Sequence, residues 1–366
     1  MSILLAFFYF FYFGVVGVYI IFIPKVLVAV AYTPSQIGII LSAAPLVRFL
    51  LPFLFMRGFT LTSQRFNTAL TVMILSALGF YFSLENFYAL LLANIMLGAS
   101  MSIVLPYMEV VALEHLSKER YGKIRLYGSV GFVLVALVLV RFIADPFVAL
   151  EFLLTLSVLS ALFAFSTQNK HLQPSKAEQT QTEEMIPLRK DYKLWLGLIL
   201  MQVSFGAFYG FFTIYATDNG ISMDTTVYLW SFGVLVEIVM LYFQATLLRK
   251  NLLNILQFTT FMTILRWFIL FVFPQNLPLL FISQSMHALS FALFHSAAIS
   301  YLFHLYKNRQ LAQQYFSGFT YGLGGLLGAL ISGYVYEWFA GYLFLSAAIF
   351  ALFSFLFIRG FSKQLT

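Results

Sequence analysis

The chain has 366 residues, of which 61% are hydrophobic and only 10% are charged. A soluble domain carries about 25% charged residues, so this composition excludes a water-soluble protein and indicates one with many membrane spans. The lack of cysteine excludes a disulfide framework, a thiolate zinc site and a catalytic thiol.

Twelve apolar runs follow one another along the chain, each close to the ~20 residues that cross a bilayer as a helix. Prolines, glycines and charges separate the runs, as at Asp145-Pro146. The first run lacks the basic leader and small-residue cleavage site of a signal peptide, so we interpret it as a true span. The pattern predicts an all-α polytopic membrane protein with twelve transmembrane helices, over residues 3–24, 35–56, 66–83, 87–113, 122–144, 147–166, 194–217, 224–248, 252–273, 278–305, 313–337 and 340–359.

Residues 167–193 form the one long polar stretch of the chain and are rich in Gln, Glu, Lys, Ser and Thr. This composition offers little to bury and predicts a flexible cytoplasmic linker. The linker divides the chain into an N-terminal six-helix half, 1–166, and a C-terminal six-helix half, 194–366. Two six-helix pseudo-repeats with a site at their interface are the plan of many secondary transporters.

Basic residues mark one side of the membrane. The opposite side has only Lys25 and Arg141, and this asymmetry predicts that both termini are cytoplasmic in the plasma (inner) membrane. The net charge of +7 therefore reflects topology and a lipid bilayer environment, and nucleic acid is not expected as a partner. The basic residues in or beside the connections on the cytoplasmic side are Arg57, Arg65, Lys118, Arg120, Lys123, Arg125, Lys170, Lys176, Arg189, Lys190, Lys193, Arg249, Lys250, Lys307, Arg309, Arg359 and Lys363.

Charged residues inside predicted spans indicate a functional site, because inserting such a residue costs several kcal/mol. A structural ion pair, or a side chain that reaches back to the interface, is the alternative for each of them. Because such charged residues occur in both halves of the chain, a purely structural role for all of them is disfavoured. The residues are Arg48, Glu109, Arg125, Glu237 and Arg266, with His287 and His295 in the tenth span.

Glu109 and Arg125 form the best candidate pair. Each lies eight residues from Ser117 in the loop between their spans, so in antiparallel helices they reach similar depth. Arg125, Gly128 and Phe132 share a helix face at i, i+3 and i+7, which places an aromatic ring where it can stack on a substrate. A core or lipid-facing role is the alternative for Phe132, one of 44 phenylalanines.

Small and aromatic residues distinguish two other spans. Tyr19 in the aromatic first span is a candidate cavity residue, with interfacial anchoring as the alternative. A dinucleotide-binding motif in the eleventh span is excluded, because its glycines lie inside an apolar run. Small residues about one turn apart let helices approach closely, and the predicted packing residues of this span are Gly318, Gly322, Gly325 and Ala329.

Several motifs carry a resemblance to a known family. They are GVYIIFIP (Gly17 to Pro24), Glu109 followed by YGKIRLYGSVGF (Tyr121 to Phe132), YLWSFGVLVEI (Tyr228 to Ile238), Arg266-Trp267 and QSMHALSFALFHSAAISY (Gln284 to Tyr301). Together they resemble the major facilitator superfamily, and within it the lactose permease and phenylpropionic acid permease branches, over nearly the whole chain. In lactose permease the matching Glu and Arg hold the sugar and a Trp stacks on it. The resemblance implies that Glu109, Arg125 and Phe132 bind the substrate.

The C-terminal half departs from lactose permease at one position that matters for proton coupling. His287 and Arg266 match a His and an Arg used for coupling there, but the carboxylate three residues after that His is Ser290 here. Glu237 is then the remaining carboxyl group of the C-terminal core. We therefore expect proton coupling to involve Glu237, Arg266, His287 and His295.

These features predict a secondary active transporter, and not an enzyme, that moves a small organic solute with protons by alternating access. The favoured substrate is a small aromatic carboxylate, as implied by the resemblance to the phenylpropionic acid permease branch and by the aromatic cavity candidates. Arg125 and Arg48 would favour an anionic or polyhydroxylated substrate through bidentate contacts. A sugar or nucleoside is the alternative substrate. A non-transporting receptor or assembly factor of the same fold is the second alternative. No cofactor or metal is expected, and the protein is expected to work as a monomer.

Overall fold

A computed structural model of the protein describes residues 1–143, 145–167 and 186–365, without the side chains of Lys118, Glu119 and Leu365. Every regular element within these ranges is helical. Most of the predicted linker, residues 168–185, lies outside the described residues, so the linker stays a prediction.

The described residues form twelve long helices, which we number α1 to α12. Short turns connect most of them, so consecutive helices run in opposite directions. The helices are α1 (Ser2–Ala29), α2 (Pro34–Met56), α3 (Ser63–Phe82), α4 (Phe87–His115), α5 (Lys118–Leu139), α6 (Pro146–Thr167), α7 (Tyr192–Asp218), α8 (Met223–Leu247), α9 (Leu252–Val272), α10 (Leu277–Leu305), α11 (Arg309–Tyr315, Phe316–Gly324 and Gly325–Phe339) and α12 (Leu343–Leu365).

The last two helices follow each other with almost no loop. Eleven described helical segments are long and apolar enough to cross a membrane, and the last of these, Arg309–Gln364, has 56 residues. As one helix it would be about 84 Å long, far more than a hydrocarbon core of ~30 Å. A break at Phe339 (φ −144°, ψ 51°) and a 3₁₀ turn over Ala340–Tyr342 divide it into α11 and α12. The segment thus supplies two spans, which agrees with the predicted twelve.

Helix pairing repeats at an offset of six helices. In the N-terminal set, α1 packs against α5 and α6, α3 packs against α4 and α6, and α2 packs against α4. In the C-terminal set, α7 packs against α11 and α12, α9 packs against α10 and α12, and α8 packs against α10. The two sets meet along α2 and α11, and also where α5 contacts α8. This arrangement leaves a central space between the two sets.

The contact between α2 and α11 depends on small residues. A Cβ atom on Gly322 would lie only 2.5 Å from the backbone N and Cα of Phe49, so the two backbones approach as closely as glycine allows. The four predicted packing residues of α11 all lie along this contact, with Gly318 at Pro52, Gly322 at Phe49, Gly325 at Pro45 and Ala329 at Gly38.

Three of the described helices, α1, α10 and α11, contain π-helical segments. These segments cover Val18–Phe22 in α1, Ala288–Leu293 in α10 and Phe316–Gly324 in α11. A π-helical segment shifts the side chains that follow it around the helix axis and is frequent at functional sites. In α10 the segment begins directly after His287, so it changes the direction of the residues between His287 and His295.

Replacing Gly322 with Ala is expected to lower the thermal stability of the purified protein. The added Cβ would force α2 and α11 apart, and overpacking of this kind costs about 1–3 kcal/mol. Thermal unfolding in detergent measures the effect. Gly341→Ala is the control, because nothing lies within 4 Å of a Cβ at that position. Equal melting temperatures for Gly322→Ala and the wild type would contradict the close α2–α11 contact.

Candidate functional site

A cavity of about 870 Å³ lies between the two helix sets. Its wall combines aromatic rings with a few charged and polar groups, which is the usual character of a small-molecule site. The wall is formed by residues of α1, α4, α5, α7, α8 and α10, among them Phe13, Val16, Glu109, Tyr121, Arg125, Phe132, Phe208, Tyr209, Trp230, Gly233, Glu237, Gln284, His287 and Phe291.

The N-terminal side of the cavity carries an ion pair. Arg125 Nε of α5 donates to Glu109 Oε1 of α4 across 3.4 Å. Both side chains are about one third exposed, at 31% for Arg125 and 34% for Glu109. The pair therefore keeps donor and acceptor atoms free on its open side, where a solute can reach them.

Aromatic rings of α1 cover the guanidinium of Arg125. The Arg125 Cζ atom lies 4.2 Å from the ring centre of Phe13 and 5.3 Å from that of Tyr9. Gly128 makes room for this stack, because a Cβ atom there would lie 2.7 Å from Phe13 Cδ2 and 3.3 Å from Arg125 Nη1. On the helix face of Arg125, Gly128 and Phe132, the ring of Phe13 thus stacks on the guanidinium of Arg125. Phe132 lines the cavity farther along this face.

Two of the predicted substrate residues lie outside the cavity wall. The hydroxyl of Tyr19 donates to Asn94 Oδ1 across 2.9 Å, and the Asn94 amide in turn donates to the carbonyl of Ile40. Tyr19 therefore joins α1 to α4 and α2, and we do not retain it as a substrate ligand. Arg48 is exposed on α2 and is not part of the wall.

The C-terminal side is organised around Arg266, whose side chain is completely buried. Its Nη1 atom lies 2.9 Å from His287 Nδ1 and 3.0 Å from Ser290 Oγ. Its Nη2 atom lies 3.3 Å from Gln284 Oε1, and its guanidinium stacks 4.3 Å from the ring centre of Phe208. Arg266 of α9 thus binds three side chains of α10 and holds that helix in register.

The contact with Arg266 defines the tautomer of His287. A guanidinium can only donate hydrogen bonds, so Nδ1 of His287 must accept and the proton of the neutral imidazole is on Nε2. That Nε2 atom lies 3.4 Å from Glu237 Oε2 on α8. A chain of polar contacts therefore leads from the buried Arg266 through His287 to Glu237, which lines the cavity.

His295 lies apart from this chain. Its Nδ1 atom is 2.6 Å from the hydroxyl of Tyr321 on α11. The ring of Phe291 lies between the two histidines, stacked 5.1 Å from His287 and 6.5 Å from His295. The structure thus brings Glu237, Arg266 and His287 together and places His295 about two turns away. Within the described ranges, no group of three or more His, Cys, Asp or Glu side chains is arranged to hold a metal ion.

The cavity is open at one end. We call the side of the bundle that carries the start of α1 and the end of α12 the terminal side. The wall includes Tyr121 and Lys123 in the first turns of α5, and Leu241 and Tyr242 in the last turns of α8. These turns lie at the terminal side, so α5 and α8 are separated there and the cavity reaches that surface.

Polar contacts close the other end, and we call them the opposite-side clasp. They join the two helix sets through Lys25 to Thr217 (2.9 Å) and Asp218 (3.5 Å), through Arg141 to Asp224 (3.2 Å) and Tyr228 (2.8 Å), and through the amide of Ser35 to Glu337 (2.8 Å). Tyr336 donates to the second oxygen of Asp218 across 2.8 Å and holds that carboxylate in place.

Sequence reasoning missed the clasp and part of the aromatic wall. Lys25 and Arg141 were noted only as exceptions to a charge rule, although two basic residues on a side whose other charged residues are acidic indicate ion pairs. Trp230 of α8 lines the cavity and donates to Thr213 of α7 across 3.0 Å. A tryptophan seven residues before Glu237 lies on the same helix face, and this spacing was the available signal.

A family model and known proteins match the chain over most of its length. The model of the MFS_1 like family matches residues 2–346. The "Probable 3-phenylpropionic acid transporter" of Escherichia coli (strain K12) is 29% identical over 307 residues, which cover 80% of each chain. The "Uncharacterized transporter YwbF" of Bacillus subtilis (strain 168) is 23% identical over 351 residues, which cover 90% of this chain and 84% of that one.

Solved structures show the same architecture. The crystal structure of nucleoside transporter NupG superimposes with a TM-score of 0.83 at 17% sequence identity, over 100% of this chain and 99% of that chain. This match confirms the predicted fold class. The relatives are transporters, which agrees with the prediction that the chain is not an enzyme.

Replacing Asp218 with Asn is expected to loosen the opposite-side clasp. The change removes the ion pair with Lys25, and exposed pairs of this kind contribute about 0.2–1 kcal/mol, so the open form should gain up to about fivefold. Since the chain has no cysteine, a single Val16→Cys in the cavity wall reports access. The rate of its reaction with an impermeant maleimide, added only on the side opposite the termini, measures the opening.

Asp145→Asn is the matched control for this experiment. Asp145 Oδ1 accepts from the amide of Phe147 within the N-terminal set, so its loss does not affect the clasp. A labelling rate that rises equally in Asp145→Asn, or that does not rise in Asp218→Asn, would contradict a role of the clasp in closing the cavity.

Proposed function

The chain belongs to the MFS_1 like family, and from this premise we propose that it is a secondary active transporter that carries a small aromatic carboxylate together with a proton. The observation that carries the proposal is the arrangement of one cavity between two helix sets, open at one end and clasped at the other. Such a cavity changes sides when the clasp opens and the terminal side closes, which is alternating access.

The cavity wall supports an aromatic carboxylate as the substrate. Phe132 and Trp230 offer ring faces to an aromatic solute, and stacked ring pairs contribute about 0.5–1.5 kcal/mol beyond area burial. The free N–H groups of Arg125, whose charge Glu109 balances, offer hydrogen bonds to the oxygen atoms of a carboxylate. The relative from Escherichia coli whose name includes 3-phenylpropionic acid, at 29% identity, supports the same substrate class.

Glu237 is the residue we propose to carry the proton. Its carboxylate lies at the cavity wall, while its partner His287 is held neutral at Nδ1 by the donating Arg266. A proton on Nδ1 would meet the guanidinium N–H, so an arriving proton is accommodated on Glu237. Neutralising Glu237 weakens its attraction for the His287–Arg266 group and frees α8 to move relative to α9 and α10.

A nucleoside or a sugar is the alternative substrate. The similarity to NupG extends over the whole fold, but at 17% identity it supports the architecture alone. The ion pair of Glu109 and Arg125 offers both acceptors and donors, as a hydroxyl-rich solute requires. The remaining parts of the proposal are cytoplasmic termini in an inner membrane, halves at 1–166 and 194–366, and a monomeric working unit.

A ligand screen distinguishes the substrate classes. A solute that binds the native state raises its melting temperature in proportion to RT ln(1 + [L]/Kd). We expect 3-phenylpropionate to raise the melting temperature of the purified protein, and glucose, lactose and uridine to have no effect at the same concentration. If only uridine or a sugar raises the melting temperature, the substrate is a nucleoside or a sugar and not an aromatic carboxylate.

Replacing Glu237 with Gln is expected to abolish uptake driven by a pH gradient in vesicles while leaving exchange of labelled for unlabelled substrate. Gln keeps the shape of the side chain but cannot carry a proton. Glu151→Gln is the control, since Glu151 is an exposed carboxylate of α6 away from the cavity. Normal gradient-driven accumulation by Glu237→Gln would remove Glu237 from the coupling mechanism.

A further inference from the structure

Arg48 is a charged residue that the site described above does not use. It lies on α2 seven residues after Leu41, whose Cδ1 atom is 3.4 Å from the position of a Cβ on Gly210 of α7. Seven residues are 700°, within about 20° of two full turns, so both side chains lie on the face of α2 that points across the interior towards α7.

The surroundings of Arg48 place it beside the substrate cavity. The side chain is exposed, and its guanidinium lies within electrostatic range of the hydroxyl groups of Tyr12 of α1, Tyr209 of α7 and Tyr321 of α11. Tyr209 lines the cavity. Arg48 is eight residues from the terminal-side end of α2, and Arg125 is seven residues from that end of α5, so both lie about 10–12 Å from the same surface.

Among the described residues, the charged side chains inside the bundle leave one positive charge, that of Arg48, without a partner. Among the described residues of α2, α4, α5, α8 and α9, the charged side chains more than five residues from a helix end are three guanidiniums and two carboxylates, those of Arg48, Arg125, Arg266, Glu109 and Glu237. Arg125 pairs with Glu109, and Arg266 reaches Glu237 through the neutral His287. Within the described part of the chain, Arg48 forms neither an ion pair nor a side-chain hydrogen bond. One positive charge inside the membrane is therefore uncompensated.

An uncompensated guanidinium favours an anionic ligand. Arg125 is less suited to set the charge of the substrate, because Glu109 already neutralises it and the Phe13 ring covers it. Arg48 has its full charge and five N–H donors to offer. While Glu237 is ionised, a solute with one negative charge would balance the central layer, whereas a neutral solute would leave the imbalance in place.

We propose that Arg48 is the specificity-determining residue that restricts this transporter to monoanions. The inference rests on the proposed function and adds to it the charge class of the substrate and the residue responsible. Glu109 and Arg125 then bind the solute without selecting its charge, because as a pair they are neutral.

The test compares an acid with its neutral amide. Binding of 3-phenylpropionate and 3-phenylpropionamide to the purified full-length protein at pH 7 is measured from the shift in melting temperature. The wild type is expected to prefer the acid by about tenfold or more, as a hydrogen-bonded charge contributes. Arg48→Gln is expected to lose this preference while binding the amide within about twofold of the wild type, and Arg48→Lys is expected to keep most of it.

The double variant Glu109→Gln with Arg125→Gln is the matched control. It removes one positive and one negative charge together, so it should weaken the acid and the amide equally and keep the preference. The proposal is overturned if Arg48→Gln keeps the preference or loses both ligands, or if the double variant loses the preference. It is also overturned if the wild type binds the amide, uridine or a sugar as well as it binds the acid. That result leaves the proposal of a transporter intact. If none of these solutes is taken up or stabilises the wild type, the proposed function itself is rejected.

Discussion

A charge in hydrocarbon costs several kcal/mol unless protein or water surrounds it, and this constraint determines where the site lies. Glu109, Arg125 and Glu237 line the space between the two helix sets, and the buried Arg266 of α9 is connected to it through His287. Glu109 of α4 meets Arg125 of α5, and Glu237 of α8 meets His287 of α10. The cavity therefore lies where charged residues of both helix sets find partners inside the bundle.

The two sides of the cavity differ in how firmly their charges are held. Arg266 is completely buried and has acceptors on three residues of α10, so its position and that of His287 are determined by packing. Arg125 is about one third exposed and has a single 3.4 Å contact with Glu109. A rigid polar group on one side and an adaptable ion pair on the other suit a protein that must hold a solute and then release it.

The sequence predicted the helices and the local pairs well, because both depend on residues close in the chain. Equal spacing from Ser117 was enough to predict the contact of Glu109 and Arg125. It was not enough to predict that Phe13 covers the guanidinium, or that Arg141 of one half meets Asp224 of the other. These contacts depend on how α1 and α5 pack and how the halves meet, and periodicity within a single span carries no information about either.

The two contacts between the helix sets differ in their sensitivity to the surrounding solution. The α2–α11 contact is made by glycine and backbone atoms that dissolved ions do not reach. The clasp is made by partly exposed charges such as Lys25 and Asp218, at 36% and 47% exposure, and salt screens exposed charges over about 8 Å at physiological ionic strength. In the proposed transport cycle, ionic strength on the clasp side therefore acts on the resting balance between the two access states, even without a substrate or a proton gradient.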